Sequence, residues 1–453
     1  MLSTPQLAND IKGRIITPDD TDYDQARSVF MGAIDRRPAM VVRAADASDV
    51  SRVIALARET GTELAVRSGG HSPAGHSVSE GGIVLDLSAL RGLEIDAERR
   101  TAWAETGLTA AEYTAAAGEH GLATGFGDAG SVGLGGITLS GGVGFLVRKH
   151  GMTIDALLAA DVVTADGGLL RVDAEHHPDL FWAIRGGGGN FGVATRLQFR
   201  LHEVDTIVGG MLLLPASPDV LAAFIAEAEA APEELSTVAN VMPAPPLPFL
   251  ALEHHGRLVV MAMLAYAGDV EAGERALAPF RALATPLADL LRPMPYPEMY
   301  PPADESYRPV AVARSSFAER IAPRTAESIL SSLERSTAAT SVVQLRVLGG
   351  AMARVPADAT AFAHRDRRIM ANVVAMYARA EECPEHEAWV TGLVSELSQG
   401  DPAGYVGFLA DEGEERVRAA YPGATWERLA EIKAAYDPEN VFRLNQNVPP
   451  AAG

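Results

Sequence analysis

The sequence predicts a two-domain α+β protein, and three observations carry that expectation. The chain has 453 residues, 47% of them hydrophobic, which is more than one typical core encloses. Up to about residue 204, short strand-like runs alternate with helical patterns and are punctuated by glycine clusters. From about Val204 those clusters cease, and strands alternate with long helices.

Taken in order, residues 17–33 read as a lead-in segment with a helix, and residues 39–43 as a first strand. Residues 47–59 carry Val50, Val53, Ile54 and Leu56 at helical spacing, with Ser48 as the capping candidate. Strands are expected over 63–67, 83–87, 93–96 and 101–105, and a helix over 109–120 that stops at Gly121. In the second part, strands at 209–214 and 257–265 alternate with helices at 218–231 and 270–284. Over 342–350, the period of two puts Gln344, Arg346 and Leu348 on one face and Val343, Leu345 and Val347 on the other. The proline-punctuated stretches 243–249 and 293–302 read as loops, whose aromatics either rim a pocket or pack on the surface. His254 and His255 lack Cys or His partners at metal spacing and read as turn residues, and the acidic run 411–415 as a solvated helix start; no metal site is expected.

Four segments stand apart. Arg67-Ser68-Gly69-Gly70-His71-Ser72 places a histidine at a strand-to-loop exit after two glycines, where backbone N–H groups can approach a pyrophosphate with no Cβ between. The run from Gly130 to Phe145 holds Gly133, Gly135, Gly136, Gly141, Gly142 and Gly144, too many glycines for the interior of an ordinary helix or strand. A third segment contains Gly186, Gly187, Gly188, Gly189, Asn190 and Val193, and a fourth runs from Tyr436 to Asn447. A Rossmann fingerprint would appear once, between a strand and a helix, with an acidic residue about 20 positions on. Clusters spread this widely do not fit it.

In this order and spacing the four segments resemble the FAD-linked oxidases of the vanillyl-alcohol oxidase superfamily with a PCMH-type FAD-binding domain. The closer likeness is to the berberine-bridge-enzyme-like branch with its bacterial 6-hydroxynicotine and oligosaccharide oxidases, over roughly residues 35–205 and 400–450. The resemblance implies an FAD-binding domain over 1–204, a substrate-binding domain over 205–399 with an antiparallel sheet covered by helices, and a segment over 400–453 that returns to the first domain. It implies FAD attached by a single 8α-histidyl bond to His71. Some relatives add a cysteinyl bond, but the matching position is Ala129, and a histidine common in that cluster is replaced by Ile137. Cofactor contacts are expected from Arg67, Ser68, Gly69, Gly70, Ser72, Val132, Gly133, Gly136, Ser140, Gly141, Gly142, Gly144, Val193 and Asn445.

By the same resemblance, Tyr405 stands where relatives carry a tyrosine on a returning strand that takes the substrate's proton as hydride leaves for the flavin. Gly407 replaces the asparagine usual two residues later. Gln344 and Arg346 are directed either to solvent or to the pocket; the resemblance favours the pocket, where Arg346 would suit an anionic or electron-rich substrate. The β-branched Val132 implies room for dioxygen, hence an oxidase that makes hydrogen peroxide. The leading expectation is oxidation of a CH–OH group. Amine (C–N) oxidation, a dehydrogenase with another acceptor, and a non-catalytic flavin-binding module are the alternatives.

Charge and composition narrow the partners. A formal net charge of −21 argues against nucleic acid and anionic membrane surfaces, and no apolar run approaches the ~20 residues that span a bilayer. The amino-terminal stretch shows no basic region followed by an apolar core, so a cytoplasmic protein is expected. The lone cysteine, Cys383, excludes an intrachain disulfide and falls in what reads as a polar connector. Oligomeric state leaves no trace in the sequence.

Overall fold

The computed structural model of the chain describes residues 10–302, 304 and 306–452. Residues 1–9, on which the expectation of no leader segment rests, lie outside them.

Arg14–Ile16, Met40–Arg43, Ile83–Asp86 and Leu64–Arg67 form a four-stranded sheet in that order. Ile83–Asp86 runs parallel to both of its neighbours, while the three-residue edge strand Arg14–Ile16, too short to show a period in the sequence, is antiparallel. The helix Ala47–Thr60 buries Val50, Val53, Ile54 and Leu56 as its spacing requires. Its cap is Asp46 rather than Ser48: the Asp46 carboxylate accepts from the N–H groups of Ser48 and Asp49. A second, five-stranded antiparallel sheet follows the order Leu93–Asp96, Thr101–Glu105, Val193–Arg200, Leu157–Val163, Leu169–Asp173. The helix Ala110–Gly118 begins on a capping box between Thr109 and Glu112.

The second glycine cluster contains a helix after all, Leu134–Ser140. Each interior glycine disfavours it by about 1 kcal/mol, but burial of Leu134 and Leu139 in the core outweighs that propensity. At Gly135 an added Cβ would come within 3.2 Å of the Cβ atoms of Ser68 and Thr106, so a side chain there would press on the histidine loop.

Residues 206–376 supply the described eight-stranded antiparallel sheet. Val343, Leu345 and Val347 enter one core with Leu221, Phe224, Leu333 and Leu393 from the covering helices Pro218–Ala230, Pro323–Arg335 and Cys383–Leu397. Cys383 therefore opens a 15-residue helix and does not lie in a connector. The prolines at 293 and 295 sit in a short strand, Arg292–Pro295. The tyrosines after them turn inward: Tyr300 donates to the Gly127 carbonyl at 2.8 Å and packs behind Gly130. The acidic run does lead into a solvated helix start, Glu414–Ala420 with Glu414 and Glu415 exposed, except that the Glu412 side chain is buried between Arg314 and Arg416.

The carboxy-terminal segment returns to the first half. Val406, Leu409, Tyr421, Leu429 and Val448 complete the core around Phe181 and Phe191. Tyr405 is not on a strand; it precedes a 3₁₀ turn, Val406–Phe408, closed by the Phe408 N–H donating to the Tyr405 carbonyl at 2.9 Å. Lys433, fully buried, donates to Asp437 at 2.6 Å and to the carbonyls of Asn190 and Phe442 at 2.7 and 3.0 Å. Asn190 bonds Gln446 and Val448 in turn, so the third and fourth of the four motif segments are tied together. No helix among the described residues is long and apolar enough to cross a membrane.

Candidate functional site

Four stretches remote in sequence close on one cleft of about 500 Å³: Ser68–Ser72, Val132–Ser140, Gly188–Ala194 and Phe442–Gln446 all contribute to its wall. The approach is possible because glycine meets glycine. A Cβ on Gly69 would lie 2.3 Å from the amide nitrogen of Gly133, and one on Gly133 would lie 2.2 Å from that of Gly69. At Gly136 and Gly189, by contrast, a Cβ would meet nothing within 4 Å, so bare backbone faces open space. The third cluster is held against the second by the amides of Gly186 and Gly188, which both donate to the Leu139 carbonyl. Among the described residues no arginine or lysine lines the cleft. A phosphate there would be met by peptide N–H groups and small hydroxyls such as Ser140. The donor set fits FAD.

His71 lines the cleft with its ring stacked on Phe30, centroids 4.1 Å apart. Burial pulls its pKa down to about 4, with the Arg308 charge acting the same way and a hydrogen bond to the Ser131 backbone opposing. The imidazole is therefore neutral near pH 7, with a nitrogen lone pair available. Five residues on, His76 also lines the cleft and is likewise pulled down to about 4 by burial. Arg67 does not reach the cleft: it bonds Asp86 at 3.1 Å beneath the loop.

Tyr405 also lines the cleft and is buried, 4% exposed. Its hydroxyl oxygen accepts from the Gly142 N–H at 2.9 Å. Burial pushes its pKa up to about 12; the Gly142 bond and the Arg346 charge pull it down, and Asp128 pushes it up. Arg346, itself buried, pairs with Asp128 at 2.5 Å and sits 4.9 Å over the Phe408 ring, which in turn meets Tyr405 edge-on at 5.1 Å. Gln344 donates to Asn240 at 2.9 Å and more weakly to Asp128 at 3.4 Å. Neither Arg346 nor Gln344 lines the cleft; Asp128 does. Sequence reasoning passed over Asp128, although it directly precedes the diagnostic Ala129.

Of the expected cofactor contacts, Ser68, Gly69, Gly70, Ser72, Val132, Gly133, Gly136, Ser140, Val193 and Asn445 line the cleft, and Gly141, Gly142 and Gly144 do not. These three admit protein instead. A Cβ on Gly141 would meet the Met152 methyl at 2.7 Å, one on Gly142 the Thr153 hydroxyl at 1.9 Å, and one on Gly144 the Phe126 carbonyl at 1.9 Å. Also unforeseen are Phe30, Tyr307 and Asn372, which line the cleft with no motif around them to mark them.

Comparison with known proteins agrees with this geometry. Residues 38–173 match the family described as FAD binding domain, and residues 404–449 the family described as berberine and berberine like. The chain is 31% identical to (R)-6-hydroxynicotine oxidase of Paenarthrobacter nicotinovorans, over 97% of each protein. The structure of 6-hydroxy-D-nicotine oxidase from Arthrobacter nicotinovorans superposes with a TM-score of 0.87 at 27% identity, covering 100% of both chains. A chitooligosaccharide oxidase, at 21% identity and a TM-score of 0.85 over 98% of this chain and 99% of that one, shares the fold.

Proposed function

The chain belongs to the FAD-linked oxidoreductases of the berberine-bridge-enzyme-like branch, in the vanillyl-alcohol oxidase superfamily, and from that premise we propose that it oxidises a CH–OH group of a small molecule while holding FAD through His71. The observation that carries this reading is the convergence of four motif segments on one cleft lined by both a neutral histidine and a buried tyrosine. FAD supplies the hydride acceptor at its ring nitrogen N5. His71 offers the lone pair that attachment at the 8α position needs. Ala129 lines the same cleft and offers no sulfur, so the attachment is single. Tyr405 takes the hydroxyl proton, with the Gly142 N–H and Arg346 favouring its anion. Val132, on the wall, leaves space for dioxygen, and hydrogen peroxide is the second product.

The domain boundaries proposed are 1–204, 205–399 and 400–453; the separate cores of the two halves support them. A cytoplasmic location is compatible with a chain whose one cysteine, Cys383, is free. C–N oxidation is the second reading, favoured by the likeness to a 6-hydroxynicotine oxidase across both whole chains.

A peroxide-coupled screen of benzylic alcohols, oligosaccharides and cyclic amines tests the reaction. Acid precipitation of the yellow protein tests the bond: colour retained in the pellet supports attachment, colour wholly released refutes it, and His71→Ala should release all of it. Reduced enzyme that persists in air yet reacts rapidly with a quinone would make it a dehydrogenase.

A further inference from the structure

One row of polar side chains crosses four strands of the eight-stranded sheet: Asn240, Gln344, Asn372 and Ser315 are successive cross-strand partners. Directly opposed residues share a face, and because Val343 and Leu345 enter the helix-covered core, this row lies on the other face, towards the cleft. The first half of the row is occupied. Gln344 gives its N–H groups to Asn240 and Asp128, and Asn240 donates to the Met261 carbonyl at 3.2 Å. Asn372 differs: it lines the cleft, and its amide oxygen is buried with no hydrogen-bond partner among the described residues. A buried amide oxygen left unpaired costs about 1–3 kcal/mol, so a donor that reaches it is held selectively.

The lining that Asn372 shares is largely apolar on the strand side, with Ala311, Ala313, Val374, Met376 and Phe408, while the Tyr307 hydroxyl donates to the Met376 sulfur at 3.7 Å and Asp128 and Tyr405 line the same cleft. Ala311, Ala313, Val374 and Met376 stand on the strands Ala311–Ala318 and Ile369–Met376 and Phe408 in the turn after Tyr405, so this wall is built by other elements than the glycine segments. Arg346 is already paired to Asp128 and no arginine or lysine among the described residues is on the lining, so although the Arg308 charge is felt at His71, the strand wall offers an anion no direct cationic contact. A sugar chain would bring many hydroxyls to one amide, and each that is desolvated without a partner weakens binding. A flat apolar ring buries well against Val374, Met376 and Phe408.

Resting on the proposed oxidation at this cleft, we propose that Asn372 is a specificity-determining residue that contacts the substrate, and that the substrate is a compact, mainly apolar ring compound carrying one neutral hydroxyl or N–H group, not an oligosaccharide. The amide both donates and accepts, which suits a neutral group of either kind.

The test is anaerobic titration of the oxidised holoenzyme with benzyl alcohol and with cellobiose, read from the flavin absorbance difference spectrum. Benzyl alcohol should give a saturable change and cellobiose none at equal concentration. Asn372→Leu should weaken benzyl alcohol roughly tenfold, the loss of one hydrogen bond, while Asn372→Gln retains part of the affinity; the bound-flavin spectrum confirms that each variant is folded. A response to cellobiose equal to or stronger than that to benzyl alcohol, a response to neither, or an unchanged affinity in Asn372→Leu overturns the proposal. Binding is read whether or not the flavin is reduced, so a ligand that binds without reducing it counts against the oxidase reading and not against Asn372.

Discussion

Tyr405 has a hydroxyl that burial holds in its protonated form, so its competence as a base depends on the charges around it. Tyr405→Phe should slow anaerobic flavin reduction by about 10²- to 10⁴-fold in stopped-flow measurements while leaving flavin content unchanged. Asp128 opposes the Tyr405 anion and also ties up Arg346. Asp128→Asn removes the opposing charge and frees the arginine, so the tyrosine pKa falls, and the pH at which flavin reduction reaches half its plateau should move down. A shift upward, or none, would separate the Asp128–Arg346 pair from the chemistry. These partners were only half legible in the sequence. Strand periodicity put Gln344 and Arg346 on one face, but that Arg346 is neutralised by a carboxylate 218 positions away depends on the docking of the two halves. Asn372 was not legible at all, because an asparagine alternating with Val374 and Met376 looks like any half-buried strand.

Among the elements, those with sharp boundary chemistry were readable: strands at Leu93–Asp96 and Thr101–Glu105, and the helix capped by Thr109. The strand Leu235–Pro243 was missed because seven of its nine residues are buried, leaving no alternation to read. The helix Leu134–Ser140 was misjudged because propensity argued against what packing enforces. The helix Ala424–Tyr436 presents Lys433 to Asp437 and to the third glycine cluster. Burial lowers the lysine pKa, with the Asp437 charge opposing. Lys433→Met should leave Asp437 as an unpaired buried charge and cost about 3–5 kcal/mol in denaturant unfolding. A loss under 1 kcal/mol would mean that the Asp437 carboxylate is sufficiently held by the N–H groups of Val441 and Phe442.

For the molecule as a whole, histidine burial sets an acid limit. His71, His76 and His202 are each held at about 4 by burial, with His150 lower still. Depressed pKa values mean that the unfolded chain binds more protons below pH 6.5. Their stabilisation is therefore complete above about pH 6.5 and is lost as pH falls towards 4, at about 1.4 kcal/mol for each unit of depression. Denaturant titrations of the cofactor-free protein should show stability falling across that window, and a flat profile would contradict the burial. Docking of the halves also has a consequence in time. A ribosome adding ~5–20 residues per second delivers the whole eight-stranded sheet before it delivers Tyr405, Leu429 or Asn445. For tens of seconds the nascent first half holds Phe181 and Phe191 without their covering partners, and the cleft lacks one wall. Cofactor capture thus follows synthesis, and the growing polypeptide passes through a sticky interval in which chaperones, not FAD, are its natural company.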